Sequence, residues 1–350
     1  MKLLIRVPNW VGDAIMCIPA LQAARARWPH AQIALLGSPW VADLFAGQGL
    51  VDQVRVFEKA GRHRGAAGVE RLAAELRSEH FDCAALFQNA FQAAWLAWRA
   101  RIPERIGYAR DGRRWLLTRA VPVPRPGEIP AHESNYYLEL LRRAGWMQGL
   151  PEVAEIRLQV SAEARSRAQA FLGERGLAPG SSRPRIALAP GAAYGSAKCW
   201  PTARYAALAD HLVQNLSCDV ILFGSAGERD VTERIASAMK QRVTNLAGST
   251  AIGDLPALFA TCDLFIGNDS GAMHVAAAVG LPVVAIFGPT DPGGTAPVTR
   301  RWTLVQHKVS CSPCFLRHCP IDHRCMQRVD VDSVISAARH WLEKGTALHG

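Results

Sequence analysis

The sequence lacks an apolar run long enough to form a membrane-spanning helix. Such a helix needs about 20 consecutive apolar residues, and no stretch of this chain approaches that length. A secretory signal is also missing, because Met1–Arg6 turns polar before an apolar signal core could form. We therefore expect a cytoplasmic protein, with any membrane contact peripheral.

Two common nucleotide-binding fingerprints are absent. The first predicted strand, Lys2–Val7, is not followed by the G-x-G-x-x-G pattern of dinucleotide-binding proteins, and the chain contains no G-x-x-x-x-G-K-[ST] P-loop. The pattern of a known nucleic-acid-binding module is missing as well. A nucleotide site, if there is one, must be built from other loops.

Acidic residues are in the minority. The 350 residues include 40 Lys and Arg against 30 Asp and Glu, which gives a formal net charge of +10. This balance favours an anionic partner, such as a nucleotide, a nucleic acid or a phosphorylated membrane surface. The apolar content of 49% is enough for two α/β domains with substantial cores.

The nine cysteines, an odd number, do not predict a disulfide framework in a cytoplasmic protein. Four of them cluster near the C-terminus: Cys311, Cys314, Cys319 and Cys325. A C-x-x-C pair followed by two more cysteines is compatible with structural zinc, but the five residues inside the second pair are irregular for a zinc ribbon. We expect reduced thiols that pack a loop, and zinc is the alternative.

A strand–loop–helix–strand pattern between Asp263 and Pro292 organises the second half of the chain. Leu264–Ile266 and Val283–Phe287 are short apolar runs bounded by glycine and proline, as in buried parallel strands. The polar loop Gly267–Gly271 precedes the predicted helix between them. A helix start presents unpaired N–H groups and the positive end of the helix dipole, which together favour a phosphate.

Two residues of this loop, Asp269 and Ser270, have two explanations. Either residue can simply cap the helix. Alternatively, both belong to a phosphate site that His274, in the first turn, also reaches. The local sequence leaves both explanations open.

A comparable loop, Pro8–Asp13, occurs in the first half. Asp13 lies between the predicted strand Lys2–Val7 and a helical stretch to Trp28, which Pro19 kinks or restarts. This position is at the carboxyl edge of the predicted sheet, where ligands bind in open α/β folds. A helix N-cap is the local alternative.

Further candidates lie after other strands of the second half. The glycine-rich loop Pro190–Pro201 contains Lys198 and is a candidate phosphate cradle. Glu228 lies at the start of a later helix, where the helix dipole alone also favours an acid.

Arginine far outnumbers carboxylate between Arg99 and Arg119. A solvated basic surface explains such a stretch, and the interleaved Tyr108 and Trp115 would also suit nucleic acid. Arginine binds phosphate and carboxylate in two-point geometry, so an anionic lipid-linked sugar fits equally well.

Taken together, these motifs resemble the family 9 glycosyltransferases, the ADP-heptose:lipopolysaccharide heptosyltransferases. The resemblance runs from Pro8-Asn-Trp to Cys325-Met326 and includes the whole Asp263–Pro292 segment. It also includes Pro-Gly…Ala-Lys-x-Trp-Pro around Lys198, although Cys199 stands where a basic residue is expected. The cysteine-rich segment is similar to that of the heptosyltransferase II branch.

The resemblance implies an α/β fold of the GT-B type, with two Rossmann-like domains facing a central cleft. The expected parts are an acceptor-binding domain at 1–160, an ADP-heptose-binding domain at 161–330, and a C-terminal helix at 331–350 that packs back toward the first domain. The implied reaction is the inverting transfer of L-glycero-D-manno-heptose from ADP-heptose to the first heptose of the lipopolysaccharide inner core in a Gram-negative bacterium.

The resemblance also implies roles for individual residues. Asp13 would be the catalytic base. The implied donor-binding residues are Lys198, Glu228, Asp269, Ser270, Gly271, His274 and Thr290. The implied acceptor-binding residues are Asn9, Trp10, Arg110, Arg113 and His132.

Several expectations about partners follow from the family. We expect no obligatory cofactor, with Mg²⁺ at most stimulating, no nucleic-acid partner, and a monomer at the cytoplasmic face of the inner membrane. Three alternatives remain: a heptosyltransferase I that uses a Kdo acceptor, a nucleotide-sugar epimerase on the same fold, and a zinc-stapled nucleic-acid-binding protein.

Overall fold

The computed structural model describes residues 1–346. Its contacts divide the chain into two compact units, Met1–Val153 and a second unit that begins at Ala154. The division therefore falls a few residues before the predicted boundary at 160. Within the described residues, no helix combines the length and the apolar character needed to cross a membrane.

The first unit is a parallel β-sheet with connecting helices. Its strands are β1 (Lys2–Arg6), β2 (Gln32–Gly37), β3 (Gln53–Val56), β4 (Cys83–Leu86), β5 (Glu104–Tyr108) and β6 (Arg119–Val121). Its helices are α1 (Val11–Met16), α2 (Ile18–Arg27), α3 (Pro39–Phe45), α4 (Gly65–Ser78), α5 (Phe91–Arg99) and α6 (Glu133–Arg143). The strands are ordered β3-β2-β1-β4-β5-β6 and pair in parallel throughout, which is the order of a Rossmann domain.

The second unit repeats this arrangement. Its strands are β7 (Arg185–Ala189), β8 (Asp219–Leu222), β9 (Thr244–Asn245), β10 (Leu264–Asn268), β11 (Val283–Phe287) and β12 (Trp302–Gln306). Its helices are α7 (Ala162–Gly173), α8 (Thr202–Asn215), α9 (Arg229–Ala238), α10 (Leu255–Phe259), α11 (Gly271–Ala278), α12 (Pro292–Thr295), α13 (Arg324–Gln327) and α14 (Val331–Thr346). The order β9-β8-β7-β10-β11-β12, again all parallel, is the Rossmann order once more.

Apolar periodicity explains why these segments form these elements. β10 and β11 are buried along their whole length, as expected for parallel strands that helices cover on both faces. In α4, the buried residues Val69, Leu72 and Leu76 recur at helical spacing and join the core of the first unit. Each sheet is therefore covered by helices that its own connections supply.

The strand order reverses at one point in each sheet. In the first sheet the reversal lies between β1 and β4, and in the second it lies between β7 and β10. Connections from neighbouring strands leave in opposite directions there, which opens a crevice at the carboxyl ends of the strands. The loops that follow these four strands are therefore the first places to look for a ligand site.

The first helical stretch is interrupted, as predicted from Pro19. α1 ends at Met16, and α2 restarts at Ile18 with the proline in its first turn, where a missing N–H is harmless. The predicted single stretch to Trp28 is therefore two helices. Asp13 consequently lies in a separate short helix directly after β1.

The C-terminal helix α14 lies against the second unit. It packs on α8 and on the sheet strands β10, β11 and β12. Residues 347–350 of the predicted segment 331–350 lie outside the described residues. Its packing toward the first domain stays a prediction.

Candidate functional site

The loops after β7 and β10, at the switch point of the second sheet, are joined by a buried asparagine. Asn268 is the last residue of β10 and has no exposed surface. Its Oδ1 accepts hydrogen bonds from Trp200 N at 3.1 Å and Tyr205 Oη at 3.0 Å, and its Nδ2 donates to Pro190 O at 2.7 Å. Sequence reasoning missed this residue, although a polar residue closing an apolar strand was a usable signal.

Asp269 collects three hydrogen-bond donors on one oxygen. Its Oδ2 accepts from Lys198 Nζ at 2.6 Å, from Thr290 Oγ1 at 2.7 Å and from Thr295 Oγ1 at 3.3 Å. Asp269 and Thr290 are buried, and the side chain of Lys198 is only 12% exposed. The structure thus brings together three of the predicted donor-binding residues, with the lysine held by a carboxylate at the crevice.

The start of α11 is not explained by capping. The Ser270 side chain makes no cap hydrogen bond, and its buried hydroxyl has no hydrogen-bond partner among the described residues. The Asp269 carboxylate bonds the lysine and two threonines instead. Because a buried polar group without a partner costs free energy, this hydroxyl is suited to a ligand atom that reaches the helix start at Gly271.

His274 lies in the same helix and is 4% exposed. It therefore stands close in sequence and in fold to Ser270, as predicted. The first N–H groups of a helix have no partner within the helix. A helix start beside a lysine and an unsatisfied hydroxyl is a favourable place for a phosphate.

Glu228 lies beside the same crevice but has a local partner. Its Oε2 accepts hydrogen bonds from Ser225 N at 2.7 Å and Ser225 Oγ at 2.8 Å, which forms a capping box. Its Oε1 lies close to Gly191, where a Cβ would be 1.9 Å from that oxygen, so a larger residue at 191 would displace the Glu228 side chain. Capping therefore accounts for one of its oxygens, and a contact with the donor stays a prediction.

In the first unit, the loop after β1 is held by contacts of Asn9. Asn9 Oδ1 accepts from Arg6 Nη2 at 2.7 Å, and its carbonyl accepts from Trp40 Nε1 at 2.7 Å. Trp10, by contrast, is 47% exposed. The contacts of Asn9 therefore fix the loop that leads into α1, while the Trp10 side chain is exposed to solvent.

Asp13, in the first turn of α1, belongs to a cluster with α6, on which α1 packs. Burial, and then the charge of Asp13, raises the pKa of Glu133 to about 7. The same two causes, in the same order, raise the pKa values of Tyr137 and Cys17 well above their ordinary values. Two carboxyl groups, from the first turns of two helices, therefore share one partly buried region.

Sequence reasoning did not single out Glu133 or Tyr137. Tyr137 is 3% exposed and lies one helical turn after Glu133, and the charge of Glu133 contributes to the raised pKa of its hydroxyl, after burial and the charge of Asp13. The available signal was a carboxylate at a helix start after His132. Its partner Asp13 could not be identified because it lies far away in the chain.

The predicted acceptor residues on the basic stretch have different surroundings. Arg110 is exposed and contacts Asp111 at 3.5 Å and Tyr136 Oη at 3.5 Å. His132 is the N-cap of α6, since its Nδ1 accepts from Ser134 N at 3.2 Å. The capping hydrogen bond explains the position of the His132 ring. The guanidinium of Arg110 lies at the surface.

Arg113 has no exposed surface. It donates from Nε to Tyr108 O at 2.9 Å, from Nη2 to Asn89 Oδ1 at 2.8 Å, and from Nη1 to Gln88 O. Burial lowers its pKa to about 10. This arginine ties the loop after β4 to β5, so its position gives no support to the prediction that it contacts the acceptor directly.

The four clustered cysteines range from exposed to buried. Cys311 and Cys314 are exposed, Cys319 is partly buried and Cys325 is buried, and all nine cysteines of the chain are free thiols. Within residues 1–346, no group of three or more His, Cys, Asp or Glu side chains is arranged to hold a metal ion. The expectations about cofactors stay predictions.

Comparison with known proteins extends over almost the whole chain. A family model described as glycosyltransferase family 9 (heptosyltransferase) matches residues 69–324. Lipopolysaccharide heptosyltransferase 2 of Salmonella typhimurium is 32% identical over 327 residues, which cover 88% of this chain and 90% of that protein.

Solved structures agree in fold. The structure of E. coli ADP-heptose lps heptosyltransferase II matches with a TM-score of 0.82 and 29% identity, and the match covers 98% of this chain and 99% of that one. A glycosyl transferase family 9 structure from Veillonella parvula matches with a TM-score of 0.83 and 23% identity, covering 98% and 97% of the two chains.

Proposed function

The chain belongs to glycosyltransferase family 9, the heptosyltransferases, and on that basis we propose its donor, its acceptor and the roles of its residues. It is a glycosyltransferase of lipopolysaccharide core synthesis that transfers heptose. Its fold is the α/β GT-B type with two Rossmann-like domains. In our proposal, the donor is ADP-heptose and the acceptor is the first heptose of the inner core.

The observation that carries the donor assignment is the cluster at the switch point of the second sheet. There, Lys198 is held against Asp269, and the unpaired Ser270 hydroxyl lies at the start of α11. A cation, an unsatisfied hydroxyl and a helix start together suit the two phosphates of ADP-heptose. Thr290, which bonds the same Asp269 oxygen, would keep the carboxylate in place when the lysine turns to the diphosphate.

We assign Asp13 as the catalytic base. In an inverting displacement, the acceptor oxygen bonds to the anomeric carbon of the heptose as the bond from that carbon to the diphosphate oxygen breaks. The proton of the acceptor hydroxyl passes to the Asp13 carboxylate, and ADP leaves with the electron pair. An ordinary aspartate is a weak base, with a pKa of about 4.

Glu133 supports this assignment. Like charges oppose each other's ionisation, and the charge of Asp13 is one cause of the raised pKa of Glu133. The interaction is mutual, so an ionised Glu133 makes the Asp13 carboxylate more basic. This effect grows as the pH rises through about 7, where Glu133 loses its proton.

The leaving group needs charge stabilisation, because negative charge accumulates on the diphosphate as the bond breaks. Lys198 and the N–H groups at Gly271 would supply it, with His274 in the same helix turn. We propose no obligatory metal ion, since these groups already supply donors for the diphosphate, and Mg²⁺ would at most stimulate. Glu228 would contact the ribose or base of the donor.

The acceptor side is proposed from exposed groups of the first unit. Trp10 and Arg110 keep exposed surface, and a planar cation suits an anionic, phosphorylated saccharide. The excess of basic residues would favour the protein at an anionic membrane surface. We propose a monomer that works at the cytoplasmic face of the inner membrane.

Transfer assays with purified acceptors test the proposed function. The protein, incubated with ADP-heptose, should modify a core acceptor that already carries one heptose. Product on a Kdo-terminated acceptor alone would instead identify the heptosyltransferase I activity. Consumption of the donor without any acceptor would identify an epimerase.

The assignment of Asp13 is tested by Asp13→Asn, which keeps the shape of the side chain but removes the proton acceptor. The turnover number should fall roughly 100-fold or more, while ADP affinity stays within about twofold of wild type. The exposed Asp43 in α3 provides the control, since Asp43→Asn should leave turnover unchanged. Equal turnover in the Asp13 variant would remove it from the base role.

A further inference from the structure

The cysteine-rich segment from Cys311 to Cys325, called the brace below, is anchored on the loop after β11. The backbone N–H groups of Cys314 and Phe315 both donate to Pro289 O, at 3.0 and 2.9 Å. The Ser312 hydroxyl donates to Gly288 O. Pro289 directly precedes Thr290, so the brace begins next to a residue that bonds Asp269.

From this anchor, the brace reaches the glycine-rich loop that contains Lys198. Tyr194 Oη donates to Phe315 O at 2.6 Å, and Ser196 Oγ lies 3.0 Å from His318 Nδ1. The two segments are more than a hundred residues apart in the sequence. They meet only because β7 and β11 belong to one sheet.

The turn that positions Lys198 bonds the brace through both the N–H and the carbonyl of one residue. Ala197, directly before the lysine, donates its N–H to Arg317 O at 3.0 Å. Its carbonyl accepts from His323 Nε2 at 2.6 Å. Both backbone polar groups of this residue are therefore committed to the brace, and its side chain is 2% exposed.

The contact at Gly195 is too close for any other residue. A Cβ at this position would lie 2.3 Å from Arg317 O, which is well inside van der Waals contact. The loop therefore needs glycine there because the backbone of the brace occupies the space.

The loop has little structure of its own to fix Lys198. Ser196–Lys198 is one turn of 3-10 helix, and such short turns are weakly stabilised by their own hydrogen bonds. Glycines on the N-terminal side of this turn add backbone freedom that binding must remove. Contacts from outside the loop are needed to hold the backbone of this turn, and with it the base of the lysine side chain, in one position.

The aromatic ring of Tyr194 lies between the brace and the ammonium group of Lys198. The ring of Tyr194 lies 5.0 Å from Lys198 Nζ and 5.2 Å from the guanidinium carbon of Arg317. These distances suit cation–π attraction. The hydroxyl of the same tyrosine is held by the Phe315 carbonyl, so the brace also fixes the ring against which the lysine packs.

We propose that the brace is a positioning element for Lys198, which acts through Tyr194, Ser196 and Ala197 to hold the lysine where the donor diphosphate binds. This inference rests on the proposed function of the donor site and goes beyond it. It gives the cysteine-rich segment a role in donor affinity that needs no bound metal. His318 and Tyr194 are positioning residues in this account, since neither needs to touch the donor.

The test measures ADP affinity by calorimetry on the full chain. His318→Ala and Ser196→Ala each remove the bond between these two side chains, and each should weaken ADP binding about 5-fold. The double variant should lose no more than one single variant, because both changes delete the same bond. Ile321, which is exposed on the brace, supplies the control, and Ile321→Ala should bind ADP like wild type.

Steady-state kinetics separate positioning from general destabilisation. In the His318 and Ser196 variants, the donor KM should rise while the acceptor KM and the melting temperature stay near wild type. Tyr194→Phe, which keeps the ring but loses the hydroxyl bond, should show the same split. His318→Asn, whose amide can still bond Ser196 Oγ, should restore part of the affinity.

The outcomes distinguish the two levels of the proposal. Wild-type protein that does not bind ADP would defeat the proposed function itself. Normal ADP binding by wild type, His318→Ala and Tyr194→Phe would leave the function standing and overturn the role of the brace. Additive losses in the double variant would show that the two side chains do not act through their shared bond.

Discussion

Lys198 and Asp269 form a nearly buried ion pair, and removing one partner should have two separable effects. The side chains are 12% and 5% exposed, and Lys198 Nζ lies 2.6 Å from Asp269 Oδ2. The informative perturbation is Lys198→Met, which keeps most of the side-chain volume and removes the charge. Among the residues that the structure describes, it leaves the two threonine hydroxyls as the side-chain donors to the buried carboxylate oxygen.

The expected loss of stability follows from this burial. Breaking a buried pair by removing one partner costs about 3 to 5 kcal/mol, because an uncompensated charge remains. For a domain of this size, such a loss lowers the melting temperature by about 10 °C. Removing both charges together leaves no uncompensated charge, so Lys198→Met/Asp269→Asn should recover most of the lost stability.

Unlike stability, ADP affinity should fall in Lys198→Met and stay low in the double variant. A hydrogen bond to a charged group contributes about 1.5 to 3 kcal/mol, so loss of the Lys198 contact with a phosphate should weaken ADP binding roughly 10- to 100-fold. The double variant cannot regain this contact. It should therefore fold nearly as stably as wild type and still bind ADP poorly.

The assay combines thermal melting and ADP calorimetry on wild type, both single variants and the double variant. Both measurements are needed, because a simple folding defect would lower the melting temperature and the ADP affinity together. Two results would refute the reasoning. One is a double variant as unstable as Lys198→Met, which would show that the ion pair is not the cause. The other is wild-type ADP affinity in Lys198→Met, which would remove the lysine from the phosphate site.

Two further predictions concern groups whose environments are unusual. Glu133 has a folded pKa of about 7, raised by burial and then by the charge of Asp13. A raised carboxyl pKa gives stability that is present at low pH and lost as the pH rises toward 7. Glu133→Gln should therefore melt at a higher temperature than wild type above pH 7, and this advantage should shrink toward pH 4.5. A pH-independent difference between the two proteins would contradict the raised pKa. Ser270→Ala should leave the melting temperature equal or slightly higher, because it removes an unsatisfied buried hydroxyl. The same variant should bind ADP about 5-fold more weakly, and unchanged affinity would show that the hydroxyl does not bind the ligand.

Several features of the fold could be predicted from the sequence because their signals are local. The apolar runs Leu264–Ile266 and Val283–Phe287 predicted β10 and β11, which are buried throughout. Pro19 predicted the interruption between α1 and α2, because proline fits only the first turn of a helix. The C-terminal helix predicted at 331–350 begins at Val331 as expected, and its predicted end lies outside the described residues.

The candidate sites could be predicted only as positions along the chain. A polar residue after a strand marks the carboxyl edge of a sheet, and this placed Asp13, Asp269 and Lys198 correctly as loop or helix-start residues. Local patterns could not separate a cap from a ligand contact, since both use the same residues at a helix start. Hydrogen bonding in the structure shows that the Asp269 side chain bonds Lys198 rather than the helix start, and the contact with a donor phosphate stays a prediction.

Contacts between distant segments were decided by the tertiary structure alone. From the sequence, Arg113 was predicted to be one of several exposed cations of a basic stretch. In the structure it is fully buried and donates hydrogen bonds to Gln88 and Asn89. Glu133 acquires its raised pKa only because α6 brings it to Asp13.

The sequence by itself determined individual strands and helices and the loops that end the strands, since periodicity and turn residues act over a few positions. The two Rossmann-like domains were implied by the family resemblance. The sequence could not determine which of those loops touch. The strand order brings β7, β10 and β11 together, and packing then seats the cysteine-rich brace on the turn of Lys198. Such contacts depend on the free energy summed over the whole core, so they cannot be predicted from any single stretch of sequence.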